Sequence, residues 1–177
     1  MRAMIALLMT ATALAAAGDP TSGPQVGDKL GTFKAKVVTG DDAGKEFQLP
    51  LKGKDGPTLI VFVQKFSRPA FKLLKPIDEF AGGKEGLAAH VVWITDDVEK
   101  TETYLKKAQN SLKMQMPLSV CLDGKDGPIA YGLNDQAAIT ILVAKDRKVV
   151  ANFASADPNE TDARKVIDAV KKALEKK

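Results

Sequence analysis

The sequence contains one cysteine, Cys121, and one histidine, His90, in 177 residues. A single cysteine cannot form an internal disulfide, so the folded chain must be stabilised by its hydrophobic core. Protein metal sites usually combine several ligands, and we therefore predict no metal site and a structural role for His90. Free cysteine is among the most buried residue types and no basic residue adjoins Cys121. This favours a small, buried and unreactive side chain at that position.

Aromatic residues are also few, at 6% of the chain, and no cluster of Lys or Arg alternates with them. The net charge is only +4. Proteins that bind nucleic acids usually carry a strongly basic face, so we expect no nucleic-acid partner. The stretches GDDAGK (40–45) and GKDG (53–56) are predicted turns that do not match a phosphate-binding loop. We therefore expect no cofactor.

The sequence has no long apolar run after residue 18, and the run before it is short. Residues 4–17, MIALLMTATALAAA, follow the basic Arg2 and end in three alanines before Gly18. A helix that spans the roughly 30 Å hydrocarbon core of a membrane needs about 20 apolar residues. We therefore interpret residues 1–17 as a cleavable signal peptide, and predict a periplasmic or secreted protein without stable membrane insertion.

After this leader the chain reads as one domain, 26–177, preceded by a Gly/Pro-rich linker, 18–25. Apolar residues alternate in TFKAKVV (32–38) and KEFQLPL (45–51), with turn-forming residues between them. This pattern predicts an N-terminal β-hairpin. The proline at position 50 places the second strand at a sheet edge, because proline cannot donate a ladder hydrogen bond.

Five further strands are predicted. TLIVFV (58–63) and HVVWI (90–94) are continuously apolar, as is typical of parallel strands that are covered on both faces. LSVCLDG (118–124) contains a short strand. AITILVA (138–144) and KVVANFA (148–154) flank the turn KDR and predict a second hairpin.

Three helices are predicted between and after these strands. Residues 69–81 form the first, with a kink at Pro76 because proline removes an amide donor. Residues 96–109 form the second, with Asp96 as its N-cap, and the third begins after Asp157 as its N-cap. The buried stripe of the first helix is predicted to contain Phe71, Leu74, Ile77, Phe80 and Ala81. That of the third is predicted to contain Val166, Ile167, Val170, Ala173 and Leu174.

Four segments, taken in order, resemble the motifs of one protein family. VGDKLGTF (26–33) resembles G-D-x-x-P-x-F, with Leu30 in place of the proline. GKEFQLPLKGKDGPTLIVF (44–62) resembles G-K-x-x-x-L followed by G-K-x-x-V-L-x-F. DGKDGPIAYGL (123–133) resembles D-x-D-G-x-x-A-x-x-Y-G-V, and TILVAKDRKVV (140–150) resembles T-F-L-I-D-x-D-G-K-I-V.

From about Val26 to Leu174 the chain is therefore similar to the redoxin and peroxiredoxin-like branch of the thioredoxin superfamily, which includes alkyl hydroperoxide reductase and thiol-specific antioxidant. The resemblance implies an α/β thioredoxin-like three-layer sandwich, with a mixed central sheet and an N-terminal β-hairpin. The predicted order of elements agrees with such a sheet, and we expect helices on both of its faces.

The reactive cysteines of this family have no counterpart here. Redoxins carry C-x-x-C at the start of the first helix, and thiol–disulfide exchange needs a thiolate and a partner sulfur. When Phe66 is aligned with the family's tryptophan, Ser67 and Ala70 occupy the two cysteine positions. A peroxiredoxin alignment, P-x-x-x-T-x-x-C, puts Ser67 at the threonine and Ala70 at the reactive cysteine.

A third alignment matches the family's kinking proline with Pro76 and puts Arg68 and Phe71 at the cysteine positions. The vestigial site therefore comprises Ser67, Arg68, Pro69, Ala70 and Phe71. Arg68 is interpreted either as an anion-binding group at a helix start or as an ordinary exposed arginine. The family also has a cis-proline before the strand that faces the site. The matching residue is Ala138, and we predict a trans bond before it.

We expect a non-catalytic module that binds a protein, a peptide or a small ligand at the former active-site end of the sheet. The predicted binding residues are Phe66, Ser67, Arg68, Pro69 and Ala138. The alternative is a thiol–disulfide oxidoreductase or peroxiredoxin-type antioxidant that acts through Cys121, which requires an exposed thiol with a lowered pKa. A third hypothesis is a covalent dimer linked through Cys121.

Overall fold

The computed structural model describes residues 18–50 and 56–175, so the predicted signal peptide, residues 1–17, lies outside the described residues. The strands are β1 Phe33–Val37, β2 Glu46–Leu49, β3 Thr58–Val63, β4 Ala88–Trp93, β5 Leu118–Cys121, β6 Ile139–Lys145 and β7 Lys148–Ser155. The α-helices are α1 Arg68–Ala81, α2 Val98–Leu112 and α3 Ala163–Glu175, and two short 3-10 helices are Ile129–Tyr131 and Glu160–Asp162. Among these described helices none has the length and apolar character that a membrane crossing requires.

The seven strands form one sheet in the order β2-β1-β5-β4-β3-β6-β7. β3, β4 and β5 are parallel to one another, whereas the two hairpins, β1–β2 and β6–β7, join the sheet in antiparallel fashion. The predicted mixed sheet and the N-terminal hairpin are confirmed. β2 lies at an edge, and Pro50 follows its last residue.

All three α-helices pack on the same face of the sheet. Their buried side chains, such as Leu74, Leu105 and Val170, belong to one core cluster with Val61 and Val91 of the central strands. This differs from the expectation of α-helices on both faces. The steps from β3 to β4 and from β4 to β5 run in the same direction across the sheet. Because such crossovers are right-handed, they place α1 and α2 on one side.

The second face of the sheet is covered by segments without α-helix. Its core cluster contains Ile60, Phe62 and Cys121 from the strands, together with Leu30 from the N-terminal segment and Tyr131 from a 3-10 helix. The rings of Phe62 and Tyr131 meet edge to face at 5.4 Å. The third layer of the sandwich is therefore built from loops and a short 3-10 helix.

The N-terminal segment, residues 18–30, packs against β6 and β7 and pairs with the start of β7. The N–H of Gly27 donates to the carbonyl of Val149 at 2.9 Å, and the N–H of Val149 donates to the carbonyl of Asp28 at 2.9 Å. Further toward the N-terminus, the hydroxyls of Ser22 and Thr140 are 2.7 Å apart. The predicted linker, 18–25, thus contributes to the folded domain.

The helix boundaries correct two details of the sequence predictions. α2 is capped by Asp97, whose carboxylate accepts from the N–H of Lys100 at 2.9 Å, and not by Asp96. The C-terminal helical segment is capped by Asn159 instead of Asp157. In both places two capping residues stand close together, and the sequence pattern does not distinguish them.

The buried face of α1 is rotated relative to the prediction. Leu74, Ile77 and Ala81 are buried as expected, but Phe71 and Phe80 are only half-buried. Phe80 packs against the edge of the core cluster. The remaining buried positions of α1 are Ala70, Leu73 and Asp78.

Candidate functional site

The chain passes from β3 to α1 through Gln64–Ser67, at the carboxyl end of the parallel strands. Ser67 is the N-cap of α1: its backbone is extended, and its hydroxyl accepts a hydrogen bond from the N–H of Ala70 at 3.2 Å. The carbonyl of Ser67 accepts from the N–H of Phe71 at 2.9 Å. Pro69 occupies the first turn, where a missing N–H costs nothing. The junction thus has a regular N-cap, with Ser67 as the capping residue.

This junction holds no group that can act as a redox nucleophile. Ser67 is half-buried and committed to capping, Ala70 is buried, and Arg68 and Pro69 are exposed. The first turn of α1 contains no acidic residue, so Arg68 has no acidic neighbour there. Because disulfide exchange requires sulfur, the arrangement cannot support that chemistry at this junction.

An aromatic cluster, formed by Phe66, Phe71, Trp93 and Tyr104, surrounds the junction. The ring of Phe66 lies 6.3 Å from Phe71, 5.8 Å from Trp93 and 6.3 Å from Tyr104, measured between centroids. Phe66 and Tyr104 are 39% and 45% exposed, whereas Trp93 is 6% exposed. Phe66 is thus the centre of the cluster and contacts each of the other three rings, and the exposed parts of Phe66 and Tyr104 offer an apolar, aromatic surface to a ligand.

The cluster draws on three separate parts of the chain. Phe66 precedes α1, Trp93 ends β4, and Tyr104 lies on α2. The loop carrying Phe66 is fixed by backbone hydrogen bonds, because the N–H groups of Gln64 and Lys65 both donate to the carbonyl of Ala138 at 3.0 Å. The loop of Phe66 is therefore anchored to the segment that enters β6, while Tyr104 is held by α2.

Ala138 itself lies behind this loop. Its side chain is 4% exposed, and its N–H donates to the carbonyl of Ser155 at 2.8 Å. Within residues 18–50 and 56–175 the one cis peptide bond is Leu49–Pro50, so the bond before Ala138 is trans as predicted. The structure brings Ala138 next to the loop of Phe66, with its carbonyl already used by two backbone donors.

Cys121 lies in β5 on the face of the sheet opposite the helices and opposite its neighbour Val120. Its side chain is fully buried and belongs to the second core cluster, whereas Val120 belongs to the first. Burial raises the pKa of the Cys121 thiol to about 11. A thiol of this kind carries almost no thiolate near neutral pH and has no access to a substrate.

His90 lies in β4, 9% exposed, and pairs with Ile60 of the neighbouring strand. Over the described ranges, no group of three or more His, Cys, Asp or Glu residues could hold a metal ion. His90 and Cys121 lie on different strands and form no such group.

The sequence analysis identified Phe66 but missed the cluster around it. Four of the ten aromatic residues of the chain lie in this cluster. The sequence does indicate part of the cluster. Phe66 and Trp93 each lie at or just beyond the carboxyl end of a predicted parallel strand, and such ends lie side by side at one edge of a sheet. Tyr104 gave no such signal, because its position depends on how α2 packs.

Comparison with protein-family models finds no match to this chain, and comparison with curated proteins finds none either. Solved structures do match. A proposed protein disulfide isomerase from Bacteroides thetaiotaomicron superposes with a TM-score of 0.67 at 16% identity, covering 89% of this chain and 96% of that one.

Two further solved structures match over most of the chain. A peroxiredoxin-like protein from Aquifex aeolicus has a TM-score of 0.59 at 19% identity, covering 86% of this chain and 91% of that one. The pneumococcal exposed lipoprotein thioredoxin from Streptococcus pneumoniae has a TM-score of 0.60 at 17% identity, covering 80% and 99%. With a mixed seven-stranded sheet and three helices that match these structures, the chain has the thioredoxin-like fold, and its single cysteine excludes the C-x-x-C motif.

Proposed function

We propose that this protein is an exported, non-catalytic binding module built on the thioredoxin-like fold. Its ligand is a protein, a peptide or a small molecule that docks on the aromatic cluster. The observation that carries the proposal is the pair of open rings, Phe66 and Tyr104, at the sheet end where the redox motif is missing. In open α/β sheets, ligands bind outside the carboxyl ends of the strands.

Export is supported by the leader sequence, residues 1–17, with its basic start, apolar run and small residues before Gly18. One structural neighbour is an exposed lipoprotein thioredoxin, which agrees with an extracytoplasmic setting for such a fold. N-terminal sequencing of the protein from the exported fraction should give a chain that begins at Gly18. A chain that keeps Met1 and stays in the cytoplasm would contradict export.

The burial of Cys121 counts against the alternative, an oxidoreductase or peroxiredoxin-type antioxidant. A fully buried thiol with a raised pKa can neither attack a disulfide or peroxide nor bond to a second chain without opening of the core. The same burial disfavours the covalent dimer through Cys121. No described contact favours these hypotheses over ligand binding.

Two measurements test the proposal together. Insulin reduction and peroxide consumption are assayed with the wild-type protein beside Cys121→Ser, and we expect neither to exceed the uncatalysed rate. Immobilised wild type is then compared with Phe66→Ala for retention of material from the exported fraction. Val150→Ala is the matched control, because Val150 is 44% exposed and has no ring contact with the cluster.

We expect ligand retention by the wild type and by Val150→Ala, and loss of retention by Phe66→Ala. Turnover that disappears in Cys121→Ser would overturn the proposal in favour of a thiol enzyme. Equal retention by all three proteins would show that the aromatic cluster is not the binding surface.

A further inference from the structure

A cavity opens beside the N-terminal segment, apart from the aromatic cluster. It has a volume of about 310 Å³ and lies between this segment, the strands β6 and β7, and the first turn of α3. That volume is the liquid share of about ten water molecules, and it falls at the lower end of the range for ligand pockets, about 300–1,000 Å³. None of the four clustered rings is among the described residues that line it. The cavity therefore has room for one small molecule.

The inner wall of the cavity is apolar. Leu73 of α1, Ile139 and Ile141 of β6 and Val166 of α3 line it and also belong to the core cluster on the helix side of the sheet. Phe153 of β7 is half-buried beside them. Because core packing holds these side chains in place, the wall can receive a short alkyl group or a single ring without rearrangement.

The amide side chains that line the cavity present oxygen atoms as hydrogen-bond acceptors. The amide nitrogen of Asn152 donates to the carbonyls of Ser22 at 2.9 Å and Pro24 at 2.8 Å, which uses both of its N–H groups and fixes its orientation. The amide nitrogen of Gln25 donates to the carbonyl of Gly23 at 2.7 Å. Neither side-chain oxygen has a hydrogen-bond partner among the residues that the structure describes. Asn152 therefore offers a ligand an acceptor and no donor.

Two carboxylates at the mouth of the cavity share one ammonium group. Lys165 Nζ lies 2.7 Å from Asp162 Oδ1, and its pKa is raised by this hydrogen bond, by the charge of Asp162 and by that of Asp19. Asp19 Oδ1 accepts from the hydroxyl of Ser155 at 3.0 Å, and its Oδ2 has no partner within residues 18–50 and 56–175. Asp19, Asp162 and Lys165 are the acidic and basic residues of the described lining, so one negative charge is in excess.

We infer that this cavity binds a small primary amine whose carbon part is apolar. The ammonium group of such a ligand supplies three N–H donors and one positive charge. These complement the free oxygens of Asp19 and Asn152 and the excess negative charge, while the carbon part lies against the apolar wall. Lys165 is already paired with Asp162, and its side chain is 70% exposed at the rim, so an anionic ligand would meet two carboxylates of like charge.

This site is additional to the aromatic cluster of the proposed function. Four probes with the same phenethyl group test it: phenethylamine, phenethyl alcohol, hydrocinnamate and phenethyltrimethylammonium. Each is titrated into the purified protein by isothermal calorimetry, and backbone amide NMR shifts locate the bound probe. We expect phenethylamine to bind at least tenfold more tightly than the alcohol and the hydrocinnamate. The trimethylammonium probe keeps the charge but has no N–H donor, and it should bind at least fivefold more weakly than the primary amine.

Three variants test the residues at the mouth. Asp19→Ala should weaken the phenethylamine complex about tenfold, because it removes both an acceptor and a charge. Asp157→Ala is the matched control, since it removes an exposed carboxylate outside the lining and should leave the affinity unchanged. Lys165→Ala releases Asp162 from its ion pair and should tighten the complex about threefold, a gain that a purely structural lysine would not produce. Circular dichroism confirms that each variant is folded.

The outcomes separate this inference from the proposed function. Absence of phenethylamine binding, or equal binding of the alcohol or the hydrocinnamate, would overturn the inference. Equal weakening by Asp19→Ala and Asp157→Ala would assign the effect to overall charge and reject the site. Amide shifts confined to the neighbourhood of Phe66 and Tyr104 would place the amine on the aromatic cluster and would also reject it. Each of these results leaves Phe66-dependent retention, the test of the proposed function, unaffected.

Discussion

The hydroxyl of Ser67 accepts a hydrogen bond from the backbone N–H of Ala70 at 3.2 Å. In two of the three alignments with redoxins, these residues occupy positions that carry motif residues of the active site, including the reactive cysteine at Ala70. Here the same pair stabilises the start of α1 as an N-cap. At this helix start a serine hydroxyl thus accepts one of the free backbone N–H groups, where a redoxin would hold a thiolate.

The first prediction concerns this cap. Ser67→Ala removes the acceptor for the N–H of Ala70 and should lower the free energy of unfolding by about 1 kcal/mol. Ser67→Asn retains a capping oxygen and should cost less than half as much. Urea denaturation of the three proteins gives the comparison, and equal stability of wild type and Ser67→Ala would show that the cap contributes nothing.

The second prediction uses the same helix end. Ser67→Cys places a thiol at the N-terminus of α1, beside Arg68 and with no acidic residue in the first turn. Its pKa should lie below the value of about 8.5 for a free cysteine, because both the helix dipole and the guanidinium favour the thiolate. The measurement is the pH dependence of alkylation by iodoacetamide. Cys121 in the wild type should stay unmodified under the same conditions, and a midpoint above 8.5 would reject the argument.

Strand patterns predicted most of the fold because hydrophobic periodicity is local. The continuous apolar run 58–63 belongs to a strand that is buried on both faces, and the alternation in 32–38 belongs to a strand with one face more exposed. Caps were less predictable: Asp96 and Asp97 are adjacent and chemically equal, so only the geometry of the α2 start selects Asp97. The face on which α2 packs depends on the strand order, which periodicity alone does not give.

The candidate site was predicted in its location but not in its chemistry. Sequence motifs place Phe66 and Ser67 at the β3–α1 junction, and the absence of sulfur follows from composition. The contact between Phe66 and Tyr104 joins residues 38 positions apart and forms only when α2 packs near the β3–α1 junction. The burial of the Ala138 carbonyl behind the loop is likewise a tertiary effect.

The third prediction concerns a buried carboxylate in α1. Asp78 is fully buried, accepts from the N–H of Met116 at 2.7 Å, and accepts from the N–H of Gln115 through both oxygens at 3.0 Å. It thereby ties α1 to the segment that enters β5. Asp78→Ala leaves these backbone donors without partners and should cost about 2–4 kcal/mol.

Asp78→Asn keeps one acceptor oxygen and should cost about half as much as the alanine variant. Glu79→Ala, at the exposed neighbouring position, is the matched control and should change stability by less than about 0.5 kcal/mol. Thermal and urea unfolding provide the measurement. A cost below 1 kcal/mol for Asp78→Ala would mean that water replaces the carboxylate.

The fourth prediction follows from the burial of Cys121. Burial raises the pKa of this thiol from 9.0 to about 11, so between these values the folded protein holds a proton that the unfolded chain has released. The stabilising contribution is complete below pH 9 and is lost as the pH rises through 11. From pH 8 to pH 10 the free energy of unfolding should therefore fall by about 1 kcal/mol on account of Cys121.

Cys121→Ala removes this titration and is the reference for it. Burial also raises the pKa of Tyr131, so the titration of this group, like that of others, lowers the free energy of unfolding in alkaline solution. This loss is the same in both proteins. The difference between the two proteins should thus shrink steadily from pH 8 to pH 10, as measured by urea unfolding at each pH. A constant difference would show that the Cys121 thiol titrates normally in the folded state. It would therefore be accessible to solvent, which would reopen the thiol-dependent hypotheses.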